Sequence, residues 1–260
     1  MVDLLEVTPD SLAEANEGVH LNPRALASLE DVARDATLIV HGVGLSIASF
    51  DGWWGEYLGL LDELMERVPV AWHSEHLGYT RVKGEFLGTM LPVPKTAPML
   101  EILVARVEAI QERYRVPFLL ENVVHLLPDY PGEYTEAGFL NALTEATGCG
   151  LVLDVYNLRC DEANHGLDIA KFLEELRMDT VVEVHIAGGV EYKGFRLDVH
   201  SRPPEEETVN LARDVLNRAE GVRAITYELL GEAVPVLGPD RIAQELGHLR
   251  AELFTPAGRE

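Results

Sequence analysis

The chain has 260 residues, of which 47% are hydrophobic, so it is long enough to bury a core of ordinary size. Acidic residues outnumber basic residues by 44 to 21, and the formal net charge is −23. An acidic surface repels nucleic-acid phosphates and anionic membranes, so we expect neither as a partner. The sequence has no apolar run of about 18 residues and no secretory signal at its start, which predicts a cytoplasmic protein.

Short apolar runs alternate with amphipathic stretches, a pattern typical of repeated βα units around a parallel sheet. Eight strands are predicted, at Val2–Thr8, Thr37–His41, Val70–His73, Phe118–Glu121, Leu151–Val155, Val181–Ile186, Gly194–Asp198 and Ala224–Glu228. Helices are predicted at Leu21–Arg34, Asp51–Arg67, Lys95–Arg115, Glu133–Ala146, Gly166–Arg177, Glu205–Arg218 and Pro239–Leu253. Long loops are predicted at Gly84–Pro98 and Arg202–Pro204, and a frayed tail at Thr255–Glu260. The pattern predicts an α/β fold, a (β/α)8 TIM barrel, as a single domain over residues 1–260.

Residue types that bind metals stand at the end of every predicted strand from the second to the eighth. They are His41, His76, Glu121, Asp154, Asn157, His185, Asp198, His200 and Glu228. Loops after the strands form the active face of such a barrel, so these side chains are expected to meet there. Imidazoles and carboxylates suit zinc, iron or manganese, and a shared carboxylate such as Glu121 can bridge two ions. A single histidine in such a place is usually a hydrogen-bonded core residue, but the agreement of seven strand ends favours a metal cluster.

Other polar residues near these positions leave alternatives open. His73 and Glu75 alternate with His76 along an extended segment, so the three cannot face the same way, and we favour His76 as the ligand. His165 precedes a predicted helix, and is either a turn residue or a group that reaches over the metal site. Solvent exposure or local capping is expected to explain His20, His125 and His248. Cys149 and Cys160 form no CxxC motif and are expected to be ordinary thiols, with a redox role of Cys160 as the alternative.

The motifs HGVGLS, SEHLGYT, LLENV, LVLDVYNL, NHG, VEVHIAG, DVHS and YEL occur in this order between Leu4 and Glu245. Together they resemble the multinuclear non-haem iron-dependent oxidative enzyme family, which includes the methanobactin biosynthesis oxidase. The resemblance implies a xylose isomerase-like TIM barrel with two or three iron ions, mixed Fe(II) and Fe(III), and O2 as co-substrate. It implies oxidation of a ribosomally synthesised precursor peptide, at a cysteine or another side chain near the peptide terminus, in some cases with a separate leader-peptide-binding partner protein.

The resemblance also implies roles for single residues. One iron is held by His41, His76 and Glu121, a second by Glu121, Asp154, His185 and Glu228, and a third by Asn157, Asp198 and His200. The candidate catalytic residues beside the metals are Glu75, Tyr156 and His165. The chain departs from the family pattern at Tyr156, Gly189, Ser201 and Leu229, where Asn, His, Asp and Arg are frequent. Residues around metal ligands tune redox potential and orientation, so the substrate is the least transferable part of the resemblance.

Two other functions fit the same residues. The order of ligands resembles that of endonuclease IV, a trinuclear zinc barrel, and more distantly that of xylose isomerase. A zinc phosphodiesterase or a sugar isomerase-like metalloenzyme is therefore the rival hypothesis. Hydrolysis of DNA needs a cationic surface and, in that family, a histidine where this chain has Asn157, so charge and Asn157 favour the oxidase. A non-catalytic metal-binding protein is the third hypothesis.

Overall fold

The computed structural model describes residues 2–15, 19–128 and 132–254, so the predicted tail Thr255–Glu260 lies outside the described residues. The chain divides into two units by its internal contacts. The first unit is Met1–Val123 with Asp129–Leu151, and the second is Val124–Pro128 with Val152–Glu260. A single domain over residues 1–260 stays a prediction.

The described residues form thirteen strands: β1 (Leu4–Val7), β2 (Ala13–Ala15), β3 (Val19–Leu21), β4 (Thr37–Gly42), β5 (Val70–His76), β6 (Gly78–Val82), β7 (Glu85–Pro92), β8 (Phe118–Glu121), β9 (Gly150–Asp154), β10 (Val181–Ile186), β11 (Val190–Tyr192), β12 (Phe195–Leu197) and β13 (Ala224–Tyr227). The same residues form nine α-helices: α1 (Pro23–Val32), α2 (Gly55–Arg67), α3 (Ala97–Tyr114), α4 (Glu136–Thr147), α5 (Val155–His165), α6 (Ile169–Glu175), α7 (Glu206–Arg218), α8 (Ala233–Leu237) and α9 (Pro239–Phe254). Short 3-10 turns lie at Pro9–Leu12 and Met178–Thr180.

In the first unit, β1, β4, β5 and β8 lie side by side in this order, and neighbouring strands are parallel. Their apolar side chains, such as Ile39 and Leu119, are fully buried, as expected of parallel strands covered on both faces. The register pairs His41 with Ser74 and His76 with Glu121. Parallel pairing therefore brings three predicted ligands to one edge of this part of the sheet.

In the second unit, β9, β10 and β13 are neighbours in this order. β10 pairs in parallel with β13, and His185 lies opposite Thr226. The amphipathic helix α7 buries its apolar residues, including Val209 and Val215, while its other face is exposed. Asp154 ends β9, and Glu228 directly follows β13. The predicted strands at these positions are confirmed to within one residue.

Two hairpins replace elements that the sequence analysis placed differently. The predicted loop Gly84–Pro98 is wrong, because β7 occupies most of it and pairs antiparallel with β6. The predicted seventh barrel strand Gly194–Asp198 is also wrong, because Phe195–Leu197 pairs antiparallel with β11. Both turns consist of a Lys-Gly pair with positive φ, at Lys83 and Gly84 and at Lys193 and Gly194. Two residues with positive φ form the type I′ turn that favours a tight hairpin.

The segment after β9 is helical from its first residue. Strand β9 ends at Asp154, one residue before the end of the predicted strand Leu151–Val155, and α5 begins at Val155. The predicted helix Gly166–Arg177 is confirmed by α6, which lies within it, whereas the separate helix α5 at Val155–His165 was not predicted. The Asp154 carboxylate accepts a hydrogen bond from the Asn157 main-chain N–H at 2.8 Å, which caps the first turn. Tyr156 and Asn157 therefore lie on a helix rather than in a turn.

Candidate metal centre

Three of the predicted ligands lie together in the first unit. We call His41, His76 and Glu121 the β4–β8 group, after the strands that carry them. Glu121 Oε2 is 2.9 Å from His41 Nε2 and 3.3 Å from His76 Nε2. The two imidazole rings lie 4.6 Å apart between centroids. The side chains of His41 and Glu121 are 2% exposed and that of His76 is 20% exposed, so the group is buried and open to solvent at His76.

Hydrogen bonds on the far side of both rings fix their orientation. His41 Nδ1 is 2.9 Å from Ser74 Oγ, and the Ser74 hydroxyl donates its one hydrogen to the Val40 carbonyl at 3.2 Å. Ser74 Oγ therefore accepts from His41 Nδ1–H. His76 Nδ1 is 3.0 Å from the Gly42 carbonyl oxygen, which can only accept, so this nitrogen is also a donor. In the neutral rings the lone pair of each histidine is on Nε2, the nitrogen that faces the carboxylate.

This donor set fits a metal cation. Two imidazole lone pairs and a carboxylate oxygen repel one another at these distances unless a cation lies among them. Two ligand atoms that are each about 2.1 Å from a tetrahedral metal lie about 3.4 Å apart. The distance of 3.3 Å between His76 Nε2 and Glu121 Oε2 is close to that value. Imidazole with carboxylate suits iron, zinc or manganese, so the chemistry of the residues agrees with the predicted centre.

Gly42, which follows the first ligand in the chain, is packed from behind by Glu75 and Tyr57. A Cβ atom at Gly42 would lie 2.0 Å from Glu75 Oε1 and 2.1 Å from the Tyr57 hydroxyl. Glu75 Oε1 also lies 2.8 Å from His73 Nε2, on the face of β5 opposite to its ligand. Burial, and then the charge of Glu75, raise the pKa of Tyr57, so its hydroxyl stays protonated. Glu75 thus lies behind the end of β4, which carries His41, and its predicted catalytic role stays a prediction.

The remaining predicted ligands lie in the second unit, and we call them the β9–β13 group: Asp154, Asn157, His185, Asp198, His200 and Glu228. Ligand atoms of Asp154, His185 and Glu228 lie within 4.8 Å of one another. Glu228 Oε2 is 3.2 Å from His185 Nδ1 and 3.7 Å from His200 Nε2. His200 Nε2 is also 2.6 Å from Asp198 Oδ1. Asp198 and His200 come from the irregular segment after β12 and not from a barrel strand.

The electrostatics of this second group also favour a cation. Burial alone lowers the pKa of His200, but the hydrogen bond to Asp198 and the charges of Glu228, Asp198 and Asp154 raise it to about 10. This raised pKa reflects the negative potential that the three carboxylates create around the imidazole. Carboxylates gathered in a poorly solvated place repel one another, and a bound metal ion compensates that charge. The residues of the β9–β13 group fit a metal by the same test as the first group.

A carboxylate and a hydroxyl lie behind His185. Glu183 Oε1 is 3.4 Å from His185 Nε2, and it accepts a hydrogen bond from Thr226 Oγ1 at 2.5 Å. Glu183 and His185 are both 0% exposed. A carboxylate on the far nitrogen of a histidine is common behind metal ligands, because it fixes the tautomer and the ring orientation. The arrangement leaves Nδ1 of His185 for Glu228 and a shared cation.

Two departures from the family pattern touch each other. The Tyr156 hydroxyl lies against the main chain of Gly189, where a Cβ atom would be 2.7 Å from it. A histidine at position 189 would collide with the Tyr156 side chain. A tyrosine at position 156 therefore requires a glycine at position 189. Burial raises the pKa of Tyr156, so the hydroxyl is neutral. This contact explains the two departures together, while the catalytic role predicted for Tyr156 stays a prediction.

The structure places the other histidines as follows. His165 ends α5 and is half-buried, and its Nε2 donates to the His125 carbonyl oxygen at 2.7 Å. His248 is exposed, as expected. The expectation of solvent exposure or local capping is wrong for His125, which is 7% exposed and bound to Asp161, 36 residues away. The catalytic role predicted for His165 stays a prediction.

Sequence reasoning missed residues that lie inside strands rather than at their ends. Glu6 of β1 offers a ligand atom within 4.8 Å of one from His41. Ser74 and Glu183 orient histidines, as described above. Glu6 and Glu183 are carboxylates in mainly apolar strands, Ser74 lies in the polar half of β5, and alternate residues of a strand share a face. That signal was present in the sequence for Glu183 and Ser74, which precede His185 and His76 by two residues.

Comparison with known proteins connects the chain to a family. A family model described as RiPP precursor modification enzyme MbnB/TglH/ChrH matches residues 1–238. A UPF0276 protein of Anaeromyxobacter sp. strain Fw109-5 is 33% identical over 222 residues, which cover 85% of this chain and 77% of that protein. A UPF0276 protein of Acaryochloris marina is 32% identical over 193 residues, or 74% and 70% of the two chains. One from Streptomyces avermitilis is 33% identical over 89% of this chain, which spans only 48% of its length.

Solved structures show the fold class. Endonuclease IV from Thermus thermophilus matches with a TM-score of 0.58 at 18% identity, over 97% of this chain and 90% of that chain. D-psicose 3-epimerase from Clostridium cellulolyticum H10 matches with 0.56 at 15%, over 96% and 89%. The IOLI protein with a bound zinc atom matches with 0.58 at 15%, over 99% and 90%. At these identities the likeness shows the fold alone, and it confirms the predicted xylose isomerase-like TIM barrel.

Proposed function

Because this chain belongs to the MbnB/TglH/ChrH family of RiPP precursor modification enzymes, we propose that it is an iron-dependent oxidoreductase that uses O2 to oxidise a cysteine of a ribosomal precursor peptide. The β4–β8 group and the β9–β13 group are the proposed iron ligands. A shared role of Glu121 between two ions, as the resemblance implies, stays part of the proposal. A separate leader-peptide-binding protein is the proposed second partner.

One observation carries the proposal: the hydrogen bonds of Ser74 and Gly42 turn the Nε2 lone pairs of the buried His41 and the partly exposed His76 towards one carboxylate. Such an arrangement has no purpose in an ordinary hydrophobic core, where a buried histidine satisfies both nitrogens with hydrogen bonds. It is the arrangement expected when a metal ion takes the second nitrogen of each ring. The family supplies the peptide as substrate, and the donor set supports a first-row metal.

The chain's own residues contribute binding, orientation and the exclusion of water. Iron, when bound, supplies the redox chemistry with O2, which protein side chains do not. The buried side chains of His41 and Glu121 keep water from one side of the β4–β8 group, and His76 is its exposed member. In the β9–β13 group the partly exposed members are Asp198, His200 and Glu228, at 17%, 18% and 13%. We propose that the peptide approaches each group from these exposed members.

The first test is the metal content of protein purified without oxygen, together with its optical spectrum before and after oxygen is admitted. We expect two or three iron ions per chain and a spectrum that changes with oxygen. Stoichiometric zinc that persists after iron-rich expression, with no response to oxygen, would contradict the proposal and support a hydrolase of the endonuclease IV kind. Iron that is retained without any consumption of oxygen would support a non-catalytic metal-binding protein.

A further inference from the structure

The NHG motif begins with Asn164, in the last turn of α5, and the side chain of this residue binds the main chain of a hairpin. The Asn164 side-chain amide donates to the Arg196 carbonyl oxygen at 2.8 Å. The Asn164 side-chain oxygen accepts from the Arg196 main-chain N–H, also at 2.8 Å. Asn164 thus binds both main-chain groups of one residue, as a paired residue of a neighbouring antiparallel strand would. Both residues are half-buried and belong to the second unit.

The register of the hairpin explains why both main-chain groups of Arg196 are available to Asn164. Tyr192 and Phe195 flank the two-residue turn, and a pair in that position exchanges its main-chain hydrogen bonds. Such pairs alternate with pairs that exchange none, so the next pair, Glu191 and Arg196, is of the second type. The N–H and C=O of Arg196 therefore point away from β11. Asn164 lies on that outer side of β12 and satisfies both groups.

The segment that carries two candidate ligands follows this contact directly. Asp198 comes two residues after Arg196, and His200 comes four residues after it. The Leu230 main-chain N–H donates to the His200 carbonyl oxygen at 3.1 Å, which holds the far end of the segment. His200 has a positive φ of 39°, and such a backbone persists only where its surroundings hold it. Asn164 holds the near end, so a shift of the Arg196 main chain also shifts Asp198.

Helix α5 connects this contact to the other candidate ligands of the second unit. Asp154 caps α5, and Asn157 lies in its first turn. Asn164 follows Asn157 by seven residues, so the two lie on one face of α5 and are about 10 Å apart along the helix axis. The helix therefore sets the spacing between the candidate ligands at its start and the segment that carries Asp198 and His200.

A second contact of Arg196 involves its side chain instead of its main chain. Arg196 Nη2 lies 3.2 Å from Glu205 Oε2, and the Glu205 side chain is 53% exposed. An ion pair that is open to solvent contributes little to stability. We therefore expect Asn164, and not Glu205, to determine where the outer side of β12 lies.

We propose that Asn164 is a positioning residue of the β9–β13 group, which holds the main chain of Arg196 so that Asp198 and His200 reach a common metal ion. This inference rests on the proposed function, which supplies the metal. Both polar atoms of the Asn164 side chain are bound to Arg196, so Asn164 acts through Arg196 and is not itself a ligand. Loss of a group that orients a metal ligand usually lowers metal affinity by about 10- to 100-fold.

The test is a titration of the metal-free protein with cobalt(II), followed by the absorbance of the bound ion and by elemental analysis. His200→Ala first identifies the cobalt ion that depends on His200. Asn164→Ala should weaken the binding of that same ion by about 10- to 100-fold and leave the other ions unaffected. Asn217→Ala, at an exposed position of α7, is the matched control and should bind cobalt as wild type does.

A double-mutant cycle separates positioning from a general loss of stability. Asn164→Ala is measured in wild type and again in the His200→Ala background. The loss of affinity should be at least about threefold smaller in the second background, because one of the two ligands that Asn164 positions is already gone. Equal losses in both backgrounds would overturn the inference, because a structural defect lowers the affinity whether or not His200 is present.

A conservative variant completes the test. Asn164→Asp keeps the oxygen that accepts from the Arg196 N–H, so its affinity for the same cobalt ion should lie between those of wild type and Asn164→Ala. It also serves if the alanine variant does not fold. Wild-type affinity in the folded Asn164 variants would overturn the inference and leave the proposed function intact. If wild-type protein binds no cobalt, the proposed metal centre fails, and this inference fails with it.

Discussion

The β4–β8 group and the β9–β13 group differ in how their candidate ligands are held. In the first, His41, His76 and Glu121 are strand residues, and both rings are fixed by hydrogen bonds from behind. In the second, Asp198 and His200 come from an irregular segment, and His200 adopts a positive φ of 39°. Non-glycine residues with positive φ are uncommon and often lie at functional sites. We therefore expect the side chains of the first group to be rigid, and those of Asp198 and His200 in the second group to adjust to the bound ion.

The two groups differ in charge as well. The β4–β8 group offers one carboxylate and two neutral imidazoles, whereas the β9–β13 group offers three carboxylates. With every imidazole neutral, as a metal ligand must be, a divalent ion leaves the first group positive and the second group negative. The second group is therefore expected to favour the more highly charged ion of a mixed-valence pair. The comparison predicts that the first group determines retention of metal, and that the second determines its oxidation state.

The largest effect is expected from Glu121→Gln, which removes the carboxylate between the two histidines of the β4–β8 group. Loss of this ligand should weaken metal binding by more than the 10- to 100-fold that outer residues contribute. Elemental analysis after dialysis, with competition by a chelator of known affinity, measures the change. Glu101→Gln, on an exposed position of α3, is the matched control and should keep its metal. Full retention of metal by Glu121→Gln would remove the first group from the centre.

Removal of the metal tests whether the two groups together stabilise the fold. At a free metal concentration 100 times the Kd, binding adds about 2.7 kcal/mol to the free energy of unfolding. For a chain of this size that corresponds to a rise in Tm of about 5–10 °C. Calorimetry with and without chelator measures it, and Glu121→Gln should show a smaller rise. An unchanged Tm on chelation of loaded protein would contradict tight binding by either group.

The next effect concerns the residue that orients His41. Ser74→Ala removes the acceptor for His41 Nδ1–H but leaves all proposed ligands in place. Metal affinity should fall by about 10- to 100-fold, the cost usual for the loss of such a partner. Ser28→Ala, at an exposed position of α1, is the control. Affinity equal to that of wild type would show that strand packing alone orients the ring.

The smallest effect is expected from Asp198→Asn in the adjustable group. Asparagine keeps an oxygen that can bind the metal, so we expect a loss of metal affinity of less than about tenfold. This loss is smaller than the 10- to 100-fold usual when a residue that orients a metal ligand is removed. The oxidation state should change more, because a negative charge is lost, and EPR spectroscopy of the iron protein measures it. Asp240→Asn on α9 is an exposed control. A loss of affinity as large as that of Glu121→Gln would contradict the difference between the two groups.

The sequence predicted that His41, His76 and Glu121 would lie together, because parallel strands bring their carboxyl ends to one edge. It could not predict the pairing of His125 with Asp161, since nothing local marks a contact across 36 residues. The first hairpin was missed because Gly and Pro in Gly84–Pro98 were taken as signs of a loop, and the second because Gly194–Asp198 was taken as a strand of the barrel. The Lys-Gly turns at Lys83 and Lys193 are the signal that distinguishes a hairpin from a loop. The helix α5 was missed because Asp154 was considered only as a candidate metal ligand and not as the residue that caps a helix.

Gly42 has a consequence for how this protein can vary. Any side chain at this position would enter the space held by Glu75 and Tyr57, and its carbonyl oxygen also orients His76. Tyr57, Glu75 and His76, which are distant from Gly42 in the chain, thus constrain this position. Neither evolutionary drift nor a random library can replace Gly42 without a compensating substitution elsewhere. A saturation library at position 42, sorted for soluble protein, should return glycine almost alone. In a second library that also varies positions 57 and 75, variants without Gly42 should carry a smaller residue at one of those two positions.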